Sequence, residues 1–411
     1  MGDRWRAVGA GRRGARAAAT RNRVAAAADR VPAPWRFAVT VFLGTKILLT
    51  LVGMLALNAF DRVSWTPPAD EWMMRHQQRA ISPHRWLSLW FAWDSFLYDH
   101  LSRLPLDRPW QEFAFPLLYP FLGRALAPLL GGHTAVALLL VANLAFLLML
   151  YYAHRLGDRL LGDDAMARRF VRYLVLLPTA FLFQAALTES LFLCLTLAAF
   201  HYAERRRWLL VGVVGFLLAL SRSVGFFVVV PLALLLLSQH DFRFGRRALS
   251  GYIRAGWPLL LLPSGWLVFM AFCRWQGGDW FAYQHAQREG WGVTVQNPLG
   301  VLWHGLAGRS LADALRVGAA VLTLVVVVAG VRRIRPPYVV YGLIMVLVPL
   351  SMGPPVYKSL LRYLLAAFPV ALVLAGWARH ATLDRWLTAG LALLQGVLFV
   401  TWLAYWNHFI I

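Results

Sequence analysis

The chain has 411 residues, of which 59% are hydrophobic and 15% are charged, and its mean hydropathy is +0.56. This is more apolar surface than a soluble core of this size could hide, so the composition excludes a soluble globular protein and predicts an all-α, polytopic helical membrane protein. The net charge of +22 would indicate nucleic-acid binding in a soluble protein. Here the arginines stand in short clusters between apolar runs, which is typical of membrane topology, and we predict no nucleic-acid partner.

The amino-terminal segment, residues 1–35, is rich in Arg and Ala and has no apolar stretch followed by a small-residue cleavage site. We therefore predict a basic cytoplasmic tail rather than a signal peptide, with a weakly helical surface-binding arm as the alternative. Residues 36–411 contain no repeat of fixed period and no low-complexity linker. They are predicted to form one integral membrane domain.

Apolar segments of the length that a membrane-spanning helix needs, roughly 20 residues, recur along the chain. We predict about eleven transmembrane spans, of which the third to the sixth are short and hard to separate. The segments lie near residues 36–58, 134–153, 170–187, 188–203, 208–221, 223–238, 256–275, 313–331, 338–353, 360–378 and 386–405.

The arginine clusters between these segments predict the orientation. If the amino terminus is cytoplasmic, alternation of the spans places every cluster on the cytoplasmic side, as the positive-inside rule requires. The same alternation places residues 59–133, 276–312 and 354–359 outside, and we expect function in these outer loops. The clusters are Arg155/Arg159/Arg168/Arg169, Arg205/Arg206/Arg207, Arg243/Arg246/Arg247/Arg254, Arg332/Arg333/Arg335 and Arg379/Arg385.

The first outer loop, residues 59–133, carries the run FAWDSFLYDHL with Asp94 at its centre. A chain this apolar has few places for acid/base chemistry, and this carboxylate is the best candidate. From the residues alone, Asp94 could equally cap a helix or pair with Arg103. Asp99 is the nearest rival, although in a helix the two carboxylates would point in different directions.

The rest of the same loop is predicted to form amphipathic helices that lie along the outer leaflet. Pro116 and Pro120 would break a long span in its second half. They would leave a short or re-entrant segment, with Phe115 and Tyr119 facing lipid or a lipid-like substrate.

Two charged residues farther along interrupt apolar runs. Glu189 lies at or near a span boundary, where an ionisable group is a candidate for function, but it could also open the fourth span as a first-turn carboxylate. Arg222 splits an apolar run and needs a partner, for which we predict Glu189. The histidines of the outer loops have no short metal-ligand spacing, so we predict no metal site and no cofactor and leave a divalent cation open.

Six sequence runs, taken in their order along the chain, resemble the PIG-V type mannosyltransferases. The resemblance implies the GT-C class of integral-membrane glycosyltransferases, which use a polyprenyl- or dolichyl-phosphate sugar donor and a lipid-linked or membrane-anchored acceptor. It also implies transfer with inversion at the extracytoplasmic face and, for this chain, a prokaryotic relative in the plasma membrane. The runs are WDSFLY, QEFAFPLLYP, LPTAFLFQAALTESLF, ALSRSVGFFVVVPLALLL, GGDWFAYQHAQREGW and LLRYLLAAFPVALVLA, within roughly residues 85–375.

The resemblance further implies roles for individual residues. Asp94 matches the acidic residue of the first outer loop that serves GT-C enzymes as general base and takes the proton of the acceptor hydroxyl. The leaving phosphate needs positive charge, and resemblance together with sidedness favours Arg362 and Arg222, followed by Lys358. Contacts to donor or acceptor are expected from Trp93, Ser95, Tyr98, Tyr119, Glu189, Asp279, Gln287, Trp291 and Tyr363.

A polytopic transporter or lipid-glycan flippase is the competing prediction. It would use Glu189 and Arg222 as a translocation pair inside the membrane. The sequence shows no two-fold internal repeat, and its polar residues concentrate in the outer loops, which favours the enzyme. A non-catalytic subunit of another enzyme stays open, although the WDS carboxylate argues against it.

Overall fold

A computed structural model of the protein describes residues 32–64, 77–106, 112–243 and 245–404. Within these ranges the regular structure is helical and contains no strand, in agreement with the predicted all-α class. Residues 1–31 of the predicted tail lie outside the described ranges. The first long helix begins at Ala33, where Pro34 in the first turn has no N–H that the helix would leave unpaired.

The helices follow one another with short connections. The longer ones are α1 (Ala33–Arg62), α2 (Asp94–Arg103), α3 (Leu118–Leu126), α4 (Thr134–Leu161), α5 (Asp164–Leu176), α6 (Glu189–Glu204), α7 (Trp208–Ser221), α8 (Val229–Ser238), α9 (Arg246–Gly256), α10 (Leu261–Gly277), α11 (Ala282–Trp291), α12 (Pro298–Ala307), α13 (Leu311–Ala329), α14 (Pro336–Leu350), α15 (Pro369–Trp377) and α16 (Ala381–Leu403). Shorter helical turns lie at Arg85–Ser88, Ala127–Leu130, Ala180–Gln184, Ser223–Val228, Trp257–Leu260, Pro354–Ser359 and Leu360–Leu364.

In the described part of the chain, five helices are long and apolar enough to cross a membrane, judged by length and composition. They are α1, α4, the stretch Leu249–Gly277 that ends with α10, α13 and α16. A sixth span would come from Pro354–Leu364 and Pro369–Trp377 together, which are bent by 53°. These helices are compatible with a multi-pass membrane protein. The count of about eleven spans stays a prediction, because the other apolar segments form shorter helices.

One predicted span, residues 170–187, is not a continuous helix. Helix α5 ends at Leu176, and Leu177 takes an extended conformation because the ring of Pro178 disfavours a helical residue before it. The chain then runs to Glu189 through a short 3₁₀ turn, with residues 179–190 buried in the protein. Non-helical backbone is tolerated at membrane depth only where protein surrounds it. We call residues 177–188 the buried crossing.

The first outer loop is partly inserted into the bundle rather than laid along the leaflet. Residues 89–92 are at most 1% exposed and belong to the main hydrophobic core, where the N–H of Ala186 donates to the carbonyl of Trp90 at 3.0 Å. The prediction that Phe115 and Tyr119 face lipid or a lipid-like substrate is wrong for Tyr119. Its ring is fully buried, and its hydroxyl donates to the carbonyl of Leu138 at 3.0 Å, because α3 packs against α4.

Several of the arginine clusters meet at one end of the bundle, which we call the basic end. Glu204 accepts a hydrogen bond from Arg335, and Arg159 lies 3.8 Å from its other carboxylate oxygen. In α5, which follows Arg159 along the chain, Arg172 pairs with Asp384 of α16. Clusters that are far apart along the chain therefore share one side, as the positive-inside pattern requires.

Helix α7 lies close to α10 and to the turn Trp257–Leu260 that precedes it, and glycines stand at the close contacts. A Cβ atom on Gly212 would lie 2.4 Å from the carbonyl oxygen of Pro258, and one on Gly265 would lie 2.5 Å from that of Phe216. Small residues let helix backbones come this near, which is how membrane helices gain packing contacts.

Replacing Gly212 with alanine is expected to lower the free energy of unfolding by about 1–3 kcal/mol, because the new methyl group would overlap backbone that cannot move away. The control is Gly318→Ala on α13, where nothing lies within 4 Å and alanine should be neutral or slightly stabilising. Both variants can be compared by unfolding in mixed micelles. Equal stability of the two would show that α7 and α10 are not in this close contact.

Candidate active site

Four charged side chains from distant parts of the chain meet in the interior. Arg362 donates from Nε to Oε1 of Glu189 and from Nη1 to Oδ2 of Asp94. Arg222 donates from Nη1 to the same oxygen of Glu189 at 2.6 Å. The side chains of Glu189, Arg362 and Arg222 are only 2%, 4% and 12% exposed, whereas that of Asp94 is 24% exposed. We call these four residues the charge cluster.

Asp94 is presented by a tight turn that starts α2. Trp93 has φ 52° and ψ −122°, values typical of the first central residue of a type II′ turn, and the N–H of Ser95 donates to the carbonyl of Ala92 at 3.1 Å. Glycine is favoured there, so tryptophan keeps this backbone at a cost of about 1–3 kcal/mol. The Ser95 hydroxyl is buried and accepts the N–H of Ala92 at 3.3 Å, which fixes the turn from inside.

Comparison of Trp93→Gly with Trp93→Ala separates the effect of losing the indole from the effect of the strained backbone. Both variants lose the indole, but only glycine adopts φ near 52° without strain. We expect Trp93→Gly to be more stable than Trp93→Ala by about 1 kcal/mol. Thermal unfolding of the two proteins in the same detergent measures this difference. A lower midpoint for the glycine variant would contradict the strained turn.

The other three members of the charge cluster stand where helices break. Glu189 is the first residue of α6, directly after the buried crossing. Arg222 follows the last residue of α7 in an extended conformation, before the turn Ser223–Val228. Arg362 lies in the short helix Leu360–Leu364 before the bend into α15. Each break brings an ionisable side chain into the interior, where a partner of opposite charge compensates it.

The charge cluster lies at the opposite end of the bundle from the basic end. Helix α6 takes 16 residues to run from Glu189 to Glu204, and α7 takes 14 to run from Trp208 to Ser221. At about 1.5 Å per residue these helices are roughly 24 and 21 Å long. They span most of a hydrocarbon layer of about 30 Å.

Several polar atoms of the charge cluster have no partner among the described residues. Oδ1 of Asp94 has no donor, and Nε and Nη2 of Arg222 have no acceptor. Oε2 of Glu189 is buried and unpaired. The site therefore combines a carboxylate oxygen that can accept a proton with guanidinium N–H groups that can hold an anion.

An aromatic wall borders the charge cluster. Tyr98 is buried and makes edge contacts with the rings of Phe115 and Tyr119, and Phe115 in turn contacts Trp291, which is 47% exposed. Burial, with a smaller contribution from the charge of Asp94, raises the pKa of Tyr98 to about 12.

Tyr363 and Gln287 also lie at this side of the protein. The guanidinium of Arg222 lies 4.9 Å from the centre of the Tyr363 ring, a cation–π contact. Gln287 donates to the carbonyl of Ala114 at 2.9 Å and so joins α11 to the first outer loop.

Lys358 and Asp279 are among the predicted site residues that do not contact the charge cluster in the described ranges. Lys358 is exposed on the turn Pro354–Ser359 and contacts no carboxylate in the described ranges. Asp279 accepts the N–H of Phe281 at 2.9 Å and lies 2.7 Å from Nδ1 of His285. These contacts hold the pKa of the exposed Asp279 carboxyl below its usual value. Substrate roles for both residues stay predictions.

The alternatives left open by the sequence are resolved in part. Arg103 pairs with Asp99, not with Asp94, and Asp99 also accepts the hydroxyl of Thr134. Asp99 is thus already bound and points away from the charge cluster. The predicted pair of Glu189 and Arg222 is confirmed. In the described residues no three His, Cys, Asp or Glu side chains come together to hold a metal ion.

Sequence reasoning missed two features of the interior. It did not predict that the Arg362 guanidinium joins Asp94 to Glu189, and the phosphate role of Arg362 stays a prediction. It also passed over Lys46, a lysine inside the apolar helix α1, although a cation at such a position is itself a signal.

Comparison with known proteins leaves the chain without an identified relative. No known protein family, no curated protein and no solved structure matches it. The argument for function therefore rests on the charge cluster and its surroundings.

Proposed function

We propose that the protein is an integral-membrane glycosyltransferase of the GT-C type that transfers a sugar from a polyprenyl-phosphate donor to a lipid-linked or membrane-anchored acceptor. One observation carries the proposal: a partly open carboxylate, Asp94, is bound by Arg362, which shares the carboxylate of Glu189 with a second arginine, Arg222. Sugar transfer from a lipid phosphate needs these two chemical functions, a base for the acceptor and positive charge for the leaving group.

Asp94 acts as the general base. Arg362 holds its Oδ2, which leaves Oδ1 to accept the proton of the acceptor hydroxyl. The hydroxyl oxygen attacks the anomeric carbon while the bond from that carbon to the phosphate oxygen breaks, and the bonding electrons leave with the phosphate. Attack opposite the leaving group inverts the anomeric carbon.

Arg222 is the better candidate to stabilise the departing phosphate. Only its Nη1 is bound, by Glu189, and Nε and Nη2 have no acceptor in the described residues, so they can donate to phosphate oxygens. Arg362 is more deeply buried and already binds two carboxylates. We assign it mainly to the positioning of Asp94. The phosphate leaves as an anion and needs no general acid.

The resemblance of the sequence to the PIG-V type mannosyltransferases supports the same proposal and narrows it. It favours mannose as the sugar and a prokaryotic plasma membrane as the location. With the basic end cytoplasmic, the charge cluster would lie towards the extracytoplasmic side, where lipid-phosphate sugars serve as donors. Trp291 and Tyr98 are placed to border a sugar or a lipid chain.

The test uses purified protein in nanodiscs, labelled mannose on a short-chain polyprenyl phosphate, and total membrane glycolipids as acceptor. We expect label to appear in the glycolipid fraction with first-order dependence on enzyme. If the protein neither transfers label nor binds the donor, the proposal fails. Movement of the intact donor across a liposome membrane would then favour a flippase that uses Glu189 and Arg222 as its buried pair.

A further inference from the structure

Lys46 is a lysine inside the apolar helix α1 and does not belong to the charge cluster. Its ammonium nitrogen lies 3.6 Å from the centre of the Trp90 ring and 3.4 Å from the carbonyl oxygen of Gln184 in the buried crossing. No carboxylate contacts it in the described residues. The two arginines of the charge cluster have carboxylate partners, whereas the half-buried Lys46 ammonium contacts a ring and a carbonyl.

Lys46 lies in a groove of about 500 Å³ between α1 and α4. The walls are apolar, and several of them are open to the outside of the bundle: Ile47 is 59% exposed, Leu51 58% and Trp86 55%. On the membrane-facing side of α1 these side chains would meet lipid chains. We call this cavity the Lys46 groove.

Two further polar atoms at the Lys46 groove are unsatisfied. Trp90 and Asn143 line it, and both Nε1 of Trp90 and Oδ1 of Asn143 are buried without a hydrogen-bond partner in the described residues. The amide nitrogen of Asn143 donates to Leu139 and Gln184, which fixes Oδ1 as the unpaired atom. The groove therefore offers a positive charge within apolar walls, and the two unpaired atoms lie buried behind these walls.

We propose that the Lys46 groove binds one anionic phospholipid. Its phosphate supplies a counter-charge to Lys46, and the acyl chains lie against the apolar walls. A soluble anion would pair with Lys46 but leave these walls uncovered. Lipid binding here does not require that the protein transfer a sugar.

A lipid bound in the Lys46 groove would also stabilise the conformation of the proposed reaction site. The carbonyl that accepts from Lys46 belongs to Gln184 in the buried crossing, which leads directly into Glu189. Trp90 stands shortly before Asp94 in the sequence. A lipid that orders Lys46 and Trp90 therefore orders both segments that carry the carboxylates of the charge cluster.

The experiment is lipid titration of the delipidated full-length protein in detergent, with bound lipids counted by native mass spectrometry. Phosphatidylglycerol and phosphatidylcholine with identical chains are compared. We expect one tightly bound phosphatidylglycerol, with affinity lowered about tenfold to a hundredfold in Lys46→Met and kept in Lys46→Arg. Arg168→Met, which removes an exposed cation on α5, is the matched control and should bind as the wild type does.

A second variant keeps the test decisive if Lys46→Met fails to fold. Thr50 lines the same groove, and Thr50→Trp should fill it and abolish the tight lipid site without removing a charge. Binding that is unchanged in Thr50→Trp, or equal for the two lipids in the wild type, would overturn the proposal. Displacement of the lipid by millimolar inorganic phosphate would assign the site to free phosphate instead.

Discussion

Replacing Asp94 with asparagine is expected to lower sugar transfer by on the order of 100-fold or more and to leave the fold intact. Asparagine has the same shape and can still accept a hydrogen bond from Arg362, so the turn and the charge cluster should persist. It cannot take a proton from the acceptor hydroxyl. Because the loss concerns the transition state, we expect kcat to fall and KM to change little.

The measurement is the initial rate of label transfer in nanodiscs, with thermal unfolding as the check on folding. Asp61→Asn is the matched control. It makes the same chemical change at the end of α1, in an ion pair with Arg85 whose side chains are 49% and 40% exposed. This variant should keep the wild-type rate, because exposed ion pairs contribute about 1 kcal/mol or less. A nearly unchanged rate in Asp94→Asn would refute the role of the carboxylate as base.

Local features of the chain were readable from the sequence because they depend on neighbouring residues. The apolar runs predict helices and the arginines predict a shared side, and contacts such as that of Arg335 with Glu204 agree. A helix through Asp94 and Asp99 turns their carboxylates in different directions, and the two have different partners. The helical pattern acts within a few turns of one helix, and the shared side of the arginines follows from the alternation of spans along the chain.

Of the tertiary contacts in the charge cluster, the sequence predicted the pair of Glu189 and Arg222, because a charge in an apolar run needs a partner, but not the others. Arg362 meets Asp94 across 268 positions of sequence, and no periodicity in a single chain reports such a distance. The buried crossing was taken as part of a span because its residues are apolar. Only Pro178 indicates that the helix ends there, and a proline in an apolar run can also produce a kink within a continuous helix. The insertion of the segment around Trp90 into the bundle could not be predicted either, since a tryptophan is common both at the membrane interface and in a protein core.

Glu189 and Arg222 are expected to depend on each other for stability. Glu189→Gln leaves two guanidinium groups with one carboxylate, and Arg222→Gln leaves two carboxylates with one guanidinium, in surroundings almost closed to water. Loss of one partner from a buried ion pair typically costs about 3–5 kcal/mol, because the remaining charge is uncompensated. We expect each single variant to be destabilised by about this amount.

The double variant Glu189→Gln/Arg222→Gln should be far less destabilised than the sum of the two, because Asp94 and Arg362 remain as a neutral pair. The free energies of unfolding of the four proteins, measured by denaturant titration in mixed micelles, give the coupling energy. The same cycle on the exposed pair of Asp61 and Arg85 is the control and should give a coupling of about 1 kcal/mol or less. Additive effects at Glu189 and Arg222 would mean that water or another group compensates each charge separately. The four residues would then not act as one electrostatic unit. The N–H groups of Arg222 would already be bound by the group that compensates its charge, and they would not be free to bind a phosphate.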